Sequence, residues 1–146
     1  MITLRQFRPE DAGNVCRRVY PGMAEDQAQS LIAEWGTCKY GEKLFLMMGI
    51  WLGVELVGTV SLFEETKERV SFGIEISPEF RRKGYATSAT KQAMTEAKSL
   101  GYQTMTSQVR QDNIASIALH KKIGFTMTNA TVNSRGREVF LYELPL

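Results

Sequence analysis

The chain of 146 residues is poor in cysteine and nearly balanced in charge. Cys16 and Cys38 are too few for a disulfide framework, so we expect two free thiols in a reducing cytosol. The 18 Lys and Arg residues against 16 Asp and Glu leave a net charge of +2, too small for a general attraction to nucleic acid or membrane. With 43% hydrophobic residues, we expect one domain, residues 1–146, whose core needs neither disulfides nor metals.

Long hydrophobic runs and nucleotide-binding motifs are also absent. The longest apolar stretch, residues 44–54, is interrupted by glycine and is far shorter than the ~20 residues of a membrane helix. The N-terminal sequence MITLRQFRPED carries charges where a secretory signal would be apolar, so we expect a soluble, cytoplasmic protein. The absence of G-x-x-x-x-G-K-[ST], and of G-x-G-x-x-G after a strand, argues against P-loop enzymes and Rossmann dehydrogenases.

Hydrophobic periodicity predicts an α/β fold of the α+β kind, in the order β-α-α-β-β-β-α-β-α-β-β. We expect a mixed, mostly antiparallel sheet of six to seven strands, flanked by about four helices. The first helix is predicted to begin near Pro9 and the second to follow the turn at residues 21–22. The predicted strands are residues 2–7, 44–52, 55–63, 70–76, 104–109, a segment from 125 onward, and 138–144. The later helices are predicted at residues 86–100 and 113–122.

The joint between the strand at 70–76 and the following helix is unusually cationic. Arg81, Arg82 and Lys83 stand in succession and are followed by Gly84. A helix N-terminus presents unpaired N–H groups and the positive end of its dipole, and glycine allows close approach to the backbone. The joint therefore predicts a site for a phosphate-like anion, although the same composition also fits a solvated surface turn.

Two motifs in this chain resemble those of a known family. Arg81-x-x-Gly84-x-Ala86 resembles the acetyl-CoA-binding motif [RQ]-x-x-G-x-[GA] of the GNAT superfamily of N-acetyltransferases. The stretch NIASIALHKKIGF, residues 113–125, taken alone reads as a packed helix with a glycine stop. It is similar to the second family signature, N-x-x-[AS]-x-x-L-Y-x-K-x-G-F. The predicted order of strands and helices agrees with that family over nearly the whole chain.

The resemblance implies that acetyl-CoA is the cosubstrate and that the site holds no metal. In the family, main-chain N–H groups of the cationic joint bind the cofactor pyrophosphate. The pantetheine arm pairs with the strand at 70–76, which a bulge separates from the strand at 104–109. Asn113 matches a side chain that contacts the same arm. The implied cofactor-binding residues are Ile74, Ile76, Arg81, Arg82, Gly84, Tyr85, Ala86, Thr87 and Asn113.

Two residues are catalytic candidates. His120, the only histidine, stands where the family often has a tyrosine that protonates the departing CoA thiolate, and imidazole can donate from either protonation state. The alternative is a structural histidine or a simple contact to the cofactor. Many relatives place a glutamate base where this chain has Val70 and Ser71, so Glu75 is the nearest strand carboxylate. Glu75 also fits a solvent-facing residue paired with Arg82.

The implied activity is direct transfer of the acetyl group to a primary amine of a small molecule, peptide or protein. Neither cysteine lies in a nucleophile motif, so no acyl-enzyme is expected. The alternatives are a CoA or acyl-CoA sensor without turnover and a nucleic-acid-binding domain, which the net charge argues against. The sequence leaves the oligomeric state open between monomer and homodimer. We expect the acceptor pocket to form from the first two helices, the loop between them and the last hairpin. The helical segment offers Tyr20, Met23, Glu25, Asp26, Glu34, Trp35 and Tyr40, although aromatic residues at helical spacing also fit the core.

Overall fold

The structure, a computed structural model, describes residues 1–146 and contains one eight-stranded sheet with four α-helices. The strands are β1 (Thr3–Gln6), β2 (Lys39–Tyr40), β3 (Lys43–Leu52), β4 (Glu55–Glu64), β5 (Arg69–Ile76), β6 (Thr104–Arg110), β7 (Thr126–Val132) and β8 (Glu138–Pro145). The helices are α1 (Ala12–Asn14), α2 (Glu25–Trp35), α3 (Tyr85–Ser99) and α4 (Ile114–Ile123).

The sheet is mixed and mostly antiparallel, as predicted. Its strand order is β1-β3-β4-β5-β6-β8-β7, and the two-residue strand β2 pairs with β3 beside this path. The pair β5 and β6 is parallel, because α3 carries the chain across the sheet between them. The predicted fold class and element order are confirmed. Strand β2 was not predicted, because a strand of two residues has no recognisable sequence pattern.

The first helical segment differs from the regular helix that the sequence predicts. It begins as a 3-10 turn at Pro9–Asp11, continues as α1, and ends as a π-turn at Val15–Val19. The last turn is wide because the Tyr20 N–H bonds to the Val15 carbonyl, five residues earlier. The apolar residues Ala12 and Val15 of this segment are fully buried against the sheet.

Helices cover both faces of the sheet. On one face, α3 packs through Ala89, Ala93 and Ala97, which are all fully buried and whose small side chains bring the helix close to the strands. On the other face, α2 and the first helical segment enclose a second apolar cluster that includes Trp35 and Trp51. None of the helices combines the length and the hydropathy that a membrane crossing requires.

A buried ion pair fixes the start of the first helical segment. Asp11 accepts hydrogen bonds from the Arg5 guanidinium at 2.8 and 3.1 Å and from the Arg8 N–H at 2.7 Å. Burial acts to raise the pKa of Asp11, but the hydrogen bonds from Arg5 and Arg8 outweigh it, and the pKa is lowered. The Arg5 guanidinium also lies 4.0 Å from the centre of the Trp51 ring.

We expect Asp11→Asn to lower the free energy of unfolding by about 1–3 kcal/mol at pH 7, because the charged hydrogen bonds are lost. A carboxylate with a lowered folded-state pKa stabilises the protein above its unfolded pKa of about 3.9, and this contribution disappears as the pH falls through the folded value. In urea unfolding from pH 7 to pH 3, the free energies of unfolding of the wild type and the variant should converge only below pH 4. An unchanged gap at pH 3 would contradict this.

Candidate active site

The cationic joint forms an open cradle of main-chain donors at the start of α3. After a 3-10 turn at Pro78–Phe80, Arg82 and Gly84 adopt left-handed conformations, with φ of 63° and 81°. Apart from Gly84 itself and the adjoining backbone, no heavy atom lies within 4 Å of the position that a Cβ on Gly84 would occupy. No acceptor of the protein bonds to four successive N–H groups, those of Gly84, Tyr85, Ala86 and Thr87. Such a cradle suits a phosphate group.

The three cations of the joint have different surroundings. The Arg81 side chain turns back to β5, where Nε donates to the Ile76 carbonyl at 2.9 Å and Nη2 lies 3.5 Å from Glu75 Oε1. Arg82 and Lys83 are exposed and make no ion pair. Arg81 therefore anchors the joint to β5, whereas the other two cations are free to meet an anion. Glu75 pairs with Arg81 and not with Arg82.

A cleft opens between β5 and β6 beside this joint. The two strands pair only from Arg69↔Thr104 to Phe72↔Ser107, although β5 continues to Ile76 and β6 to Arg110. We predicted a bulge here, but the register irregularities of the sheet lie elsewhere, in the β3–β4 and β7–β8 pairs. The parting of β5 and β6 therefore begins without a register shift.

The main chain of β5 faces the cleft at two of the predicted cofactor residues. The Ser77 N–H bonds to the Val57 carbonyl. In an antiparallel pair every second residue bonds to the partner strand, so the main-chain groups of Ser77, Glu75 and Gly73 point toward β4. The N–H and C=O groups of Ile74 and Ile76 consequently point away from β4, toward the cleft. The Ile76 carbonyl is already bound by Arg81. The Ile74 groups and the Ile76 N–H are left to pair with an extended ligand.

Gly58 allows the end of β5 to lie close to β4. A Cβ at this position would stand 2.2 Å from the Glu75 carbonyl oxygen and 3.1 Å from the Ile76 Cα, and both are main-chain atoms. The backbone at the end of β5 therefore could not remain in place if residue 58 had a side chain.

Asn113 caps α4. Its Oδ1 accepts from the Ser116 N–H at 3.1 Å, which satisfies one of the free donors of the helix start. The side chain is exposed, and its amide nitrogen bonds to no protein atom. The amide oxygen thus caps the helix, while the amide nitrogen is free to bind a ligand.

We expect Asn113→Ala to lower the free energy of unfolding by about 1 kcal/mol through loss of the cap. Asn113→Ser retains a capping oxygen but removes the amide nitrogen, so its stability should stay near that of the wild type. If the amide also contacts the cofactor, both variants should bind acetyl-CoA more weakly by a similar factor. Chemical unfolding and calorimetric titration measure the two effects separately, and an equal loss of stability in both variants would refute the capping role.

His120 is buried in the core of the α3–α4 face, with 2% of its surface exposed. Its Nδ1 lies 2.7 Å from the Ser116 carbonyl and its Nε2 lies 2.8 Å from Ser107 Oγ. Burial lowers the pKa of His120 below its ordinary value, and the hydrogen bond to Ser116 opposes this. The rings of Phe125 and Tyr142 pack at centroid distances of 4.7 and 5.1 Å. The imidazole is therefore fixed, neutral at pH 7 and out of contact with bulk water.

Glu75 lies on the opposite face of the sheet from His120. It lines a small cavity of about 50 Å³, together with Arg18, Val19, Leu56, Gly58, Thr59 and Ser77. Arg18 closes one side, since its guanidinium bonds to Glu79 at 2.7 Å and lies 5.2 Å from the centre of the Phe80 ring. The structure thus places the two catalytic candidates apart, with the β5–β6 cleft between the two faces.

The residues expected near the acceptor divide between core and surface. Trp35 is a core residue that packs on Phe7 at 5.2 Å, and Met23 packs against the same cluster. Tyr20 and Tyr40 have large exposed fractions of 43% and 71%. The acidic residues Glu25, Asp26 and Glu34 lie exposed on α2. None of the seven lines the cavity beside Glu75.

Three residues near the site were not singled out from the sequence. Gly58 interrupts a strand pattern, and a glycine inside a strand indicates close approach of a backbone, so this signal was available. Ser107 is the polar member of the buried series Met105, Ser107 and Val109, which also marks it. Nothing in the helical pattern distinguishes Arg18 from its neighbour Arg17.

Comparisons with known proteins identify the family. The sequence model described as Acetyltransferase (GNAT) domain matches residues 1–126, and the chain therefore belongs to the GNAT family of acetyltransferases. A comparison with curated proteins gives no match.

Solved acetyltransferases share the fold along almost the whole chain. RimL, a ribosomal L7/L12 alpha-N-protein acetyltransferase in complex with coenzyme A, has 15% identity and a TM-score of 0.86, with 99% of this chain and 94% of that chain covered. Spermidine N-acetyltransferase from Vibrio cholerae, in complex with CoA and spermine, has 20% identity and a TM-score of 0.77, with coverage of 99% and 95%. The microcin C7 self immunity acetyltransferase MccE, in complex with acetyl-CoA and AMP, has 19% identity and a TM-score of 0.81, with coverage of 99% and 92%.

Proposed function

We propose that this acetyltransferase moves the acetyl group of acetyl-CoA directly to a primary amine of a small molecule, peptide or protein. The observation that carries the proposal is the cradle at the start of α3, with four unpaired N–H groups beside the open space at Gly84. An anion bound there gains hydrogen bonds that the protein itself does not supply. The CoA diphosphate fits this donor set, with Arg82 and Lys83 adding positive charge.

The rest of acetyl-CoA would follow the cleft between β5 and β6. The pantetheine arm carries amide groups, which can pair with the free main-chain groups of Ile74 and the Ile76 N–H. The amide nitrogen of Asn113 reaches the same ligand from the start of α4. This arrangement brings the thioester toward the point where β5 and β6 part, at Phe72 and Ser107.

The amine acceptor would enter from the face that carries Glu75. Glu75 is one of the residues that line the cavity there. We propose that its carboxylate attracts a cationic amine. The relatives named above include a spermidine acetyltransferase and a ribosomal-protein acetyltransferase, which supports an amine as the acceptor class. An amine of pKa ~10.4 must lose a proton at a cost of about 4–5 kcal/mol at pH 7, so the reaction needs a proton acceptor.

The chain is proposed to act as a single domain over residues 1–146, in the cytoplasm and without metal, nucleic acid or membrane. Cys16 and Cys38 are both free, and unpaired thiols persist in a reducing compartment. The oligomeric state, monomer or homodimer, does not enter the proposal, because the cradle and the cleft are formed within one chain.

A screen of amines tests the proposed function. Thiol release from acetyl-CoA is followed with spermidine, an N-terminal peptide, a free amino acid and an aminoglycoside, with Gly84→Glu protein as the blank for uncatalysed aminolysis. We expect at least one amine to give release well above the blank. Thermal stabilisation by acetyl-CoA without release by any amine would favour a CoA sensor. The absence of both stabilisation and release would refute the proposal.

A further inference from the structure

The hydrogen bonds of His120 define its tautomer. A carbonyl oxygen only accepts, so the 2.7 Å contact with the Ser116 carbonyl places the proton on Nδ1. The neutral imidazole then has an unprotonated Nε2, and the 2.8 Å contact to Ser107 Oγ is a bond donated by the hydroxyl. The lone pairs of Ser107 Oγ remain available to a further donor.

Ser107 occupies the last paired position of β6 before the cleft. It is opposite Phe72, and beyond this pair β5 and β6 are no longer paired with each other. Only 7% of Ser107 is exposed, so its hydroxyl lies where water is scarce and a proton transfer would be shielded. Ser107 therefore stands at the inner end of the cleft in which we place the thioester, with its hydroxyl bonded to His120.

The Ser107 hydroxyl also gives His120 a reach that the imidazole alone lacks. Both nitrogens of the imidazole are already engaged, so the ring has no free polar atom for a ligand. The Ser107 hydroxyl, bound to Nε2, extends the side chain by one hydrogen bond. Phe125 and Tyr142 pack against the ring and hold it in this direction.

We propose that Ser107 is the catalytic residue that moves the amine proton to the CoA sulfur, with His120 as the positioning residue and proton store behind it. The inference rests on the proposed acetyl transfer. It places in the cleft the group that accepts the proton lost by the attacking nitrogen, and it leaves Glu75, on the other face of the sheet, to attract the amine.

The relay acts on the neutral amine, which forms when the ammonium group releases one proton to water, and it then proceeds in two stages. As the amine nitrogen bonds to the thioester carbonyl carbon, its proton passes to Ser107 Oγ, and the original Ser107 proton passes to His120 Nε2. The imidazolium keeps its Nδ1 bond to the Ser116 carbonyl. As the carbon–sulfur bond breaks, Nε2 returns its proton to Ser107, whose hydroxyl proton passes to the sulfur. The products are the amide and CoASH, and both residues return to their starting states.

Kinetics of Ser107→Ala test the relay, with the best amine from the screen. We expect kcat to fall by about 100-fold, within the range of general acid and base catalysis, while the KM for acetyl-CoA changes little. Ser107→Thr retains the hydroxyl and should keep most of the activity. Thr90→Val serves as the matched control, because it removes another buried hydroxyl, bonded to the Ala86 carbonyl at 2.7 Å, and should affect stability alone. An unchanged kcat in Ser107→Ala would overturn the relay and leave the proposed function intact.

A double variant that moves the hydroxyl from residue 107 to residue 120 gives a stricter test of the relay. In His120→Tyr with Ser107→Gly, the phenol hydroxyl can occupy the space that the serine hydroxyl leaves. We expect this double variant to exceed Ser107→Ala in kcat by roughly tenfold or more. A purely structural role of Ser107 predicts the opposite, since the double variant changes two core residues instead of one.

Nitrogen NMR tests the geometry without turnover. His120 is the only histidine, so its two imidazole signals are assigned directly. We expect a protonated Nδ1 and an unprotonated Nε2, with Nε2 shifting when CoASH is added to the wild type but not to Ser107→Ala. Thermal stabilisation by CoASH with no shift at Nε2 would contradict the relay alone. The absence of any CoASH binding would refute the proposed function together with the relay.

Discussion

Gly84→Glu is expected to abolish acetyl-CoA binding, with an affinity loss on the order of 100-fold or more, about 3 kcal/mol. The new side chain would begin in the open space above the cradle and place a carboxylate where the diphosphate is proposed to lie. The left-handed backbone of residue 84 adds a conformational strain of about 1 kcal/mol, which lowers stability but does not by itself remove a binding site. Isothermal titration calorimetry with acetyl-CoA measures the affinity.

Gly101→Glu is a matched control for this variant. Gly101 has a φ of 96°, has no heavy atom near its Cβ position, and lies just beyond the C-terminal end of α3. The two substitutions are chemically identical and cause a similar strain, but only one changes the cradle. Gly101→Glu should therefore lose stability and keep its affinity. If the two variants bound acetyl-CoA equally well, the diphosphate could not occupy the start of α3.

Gly58→Ala is expected to give the second large effect, on both stability and cofactor affinity. Its Cβ would overlap the Glu75 carbonyl oxygen, so the end of β5 must move. Forcing backbone apart costs about 1–3 kcal/mol, which corresponds to a fall in Tm of roughly 5 °C for a chain of this length. The movement also displaces the Ile76 carbonyl that holds Arg81, and hence the cradle. Thermal unfolding and titration with acetyl-CoA measure the two losses.

Gly73→Ala provides the comparison within the neighbouring strand. Its Cβ would meet one atom, Ser61 Oγ at 2.8 Å, which is the tip of a side chain that can rotate away. We expect it to cost less stability than Gly58→Ala and to retain acetyl-CoA affinity. Equal effects of the two substitutions would show that the close approach at Gly58 does not position the end of β5.

The cradle of main-chain donors at the start of α3 was predictable from the sequence because its signals are local. A run of cations, a glycine and a small residue at a strand-to-helix boundary lie within six positions, and their role depends on one helix start. The glycine does more than predicted from the motif, since Gly84 is also the left-handed residue from which α3 begins. Element order was predictable for a similar reason, because periodicity and turns are properties of short segments.

The hydrogen-bonded pair that we propose for acid–base chemistry was not predictable, because it depends on tertiary packing. His120 was singled out by the motif, but its burial and its contact with Ser107 arise from the packing of α4 on β6. In the same way, the ion pair between Arg18 and Glu79 joins residues 61 positions apart, and only the fold brings them together at the cavity beside Glu75. The sequence left Trp35 open between the acceptor pocket and the core, and the packing of α2 on the sheet decides for the core.

The most direct measurement is a titration of ¹⁵N-labelled protein with CoA, followed at the backbone amides. If the start of α3 binds the diphosphate, the amide signals of Gly84, Tyr85, Ala86 and Thr87 should move downfield together, and pantetheine, which lacks the diphosphate, should not move them. If CoA saturated the protein and these four signals stayed at their ligand-free positions, the proposed cofactor site would be wrong.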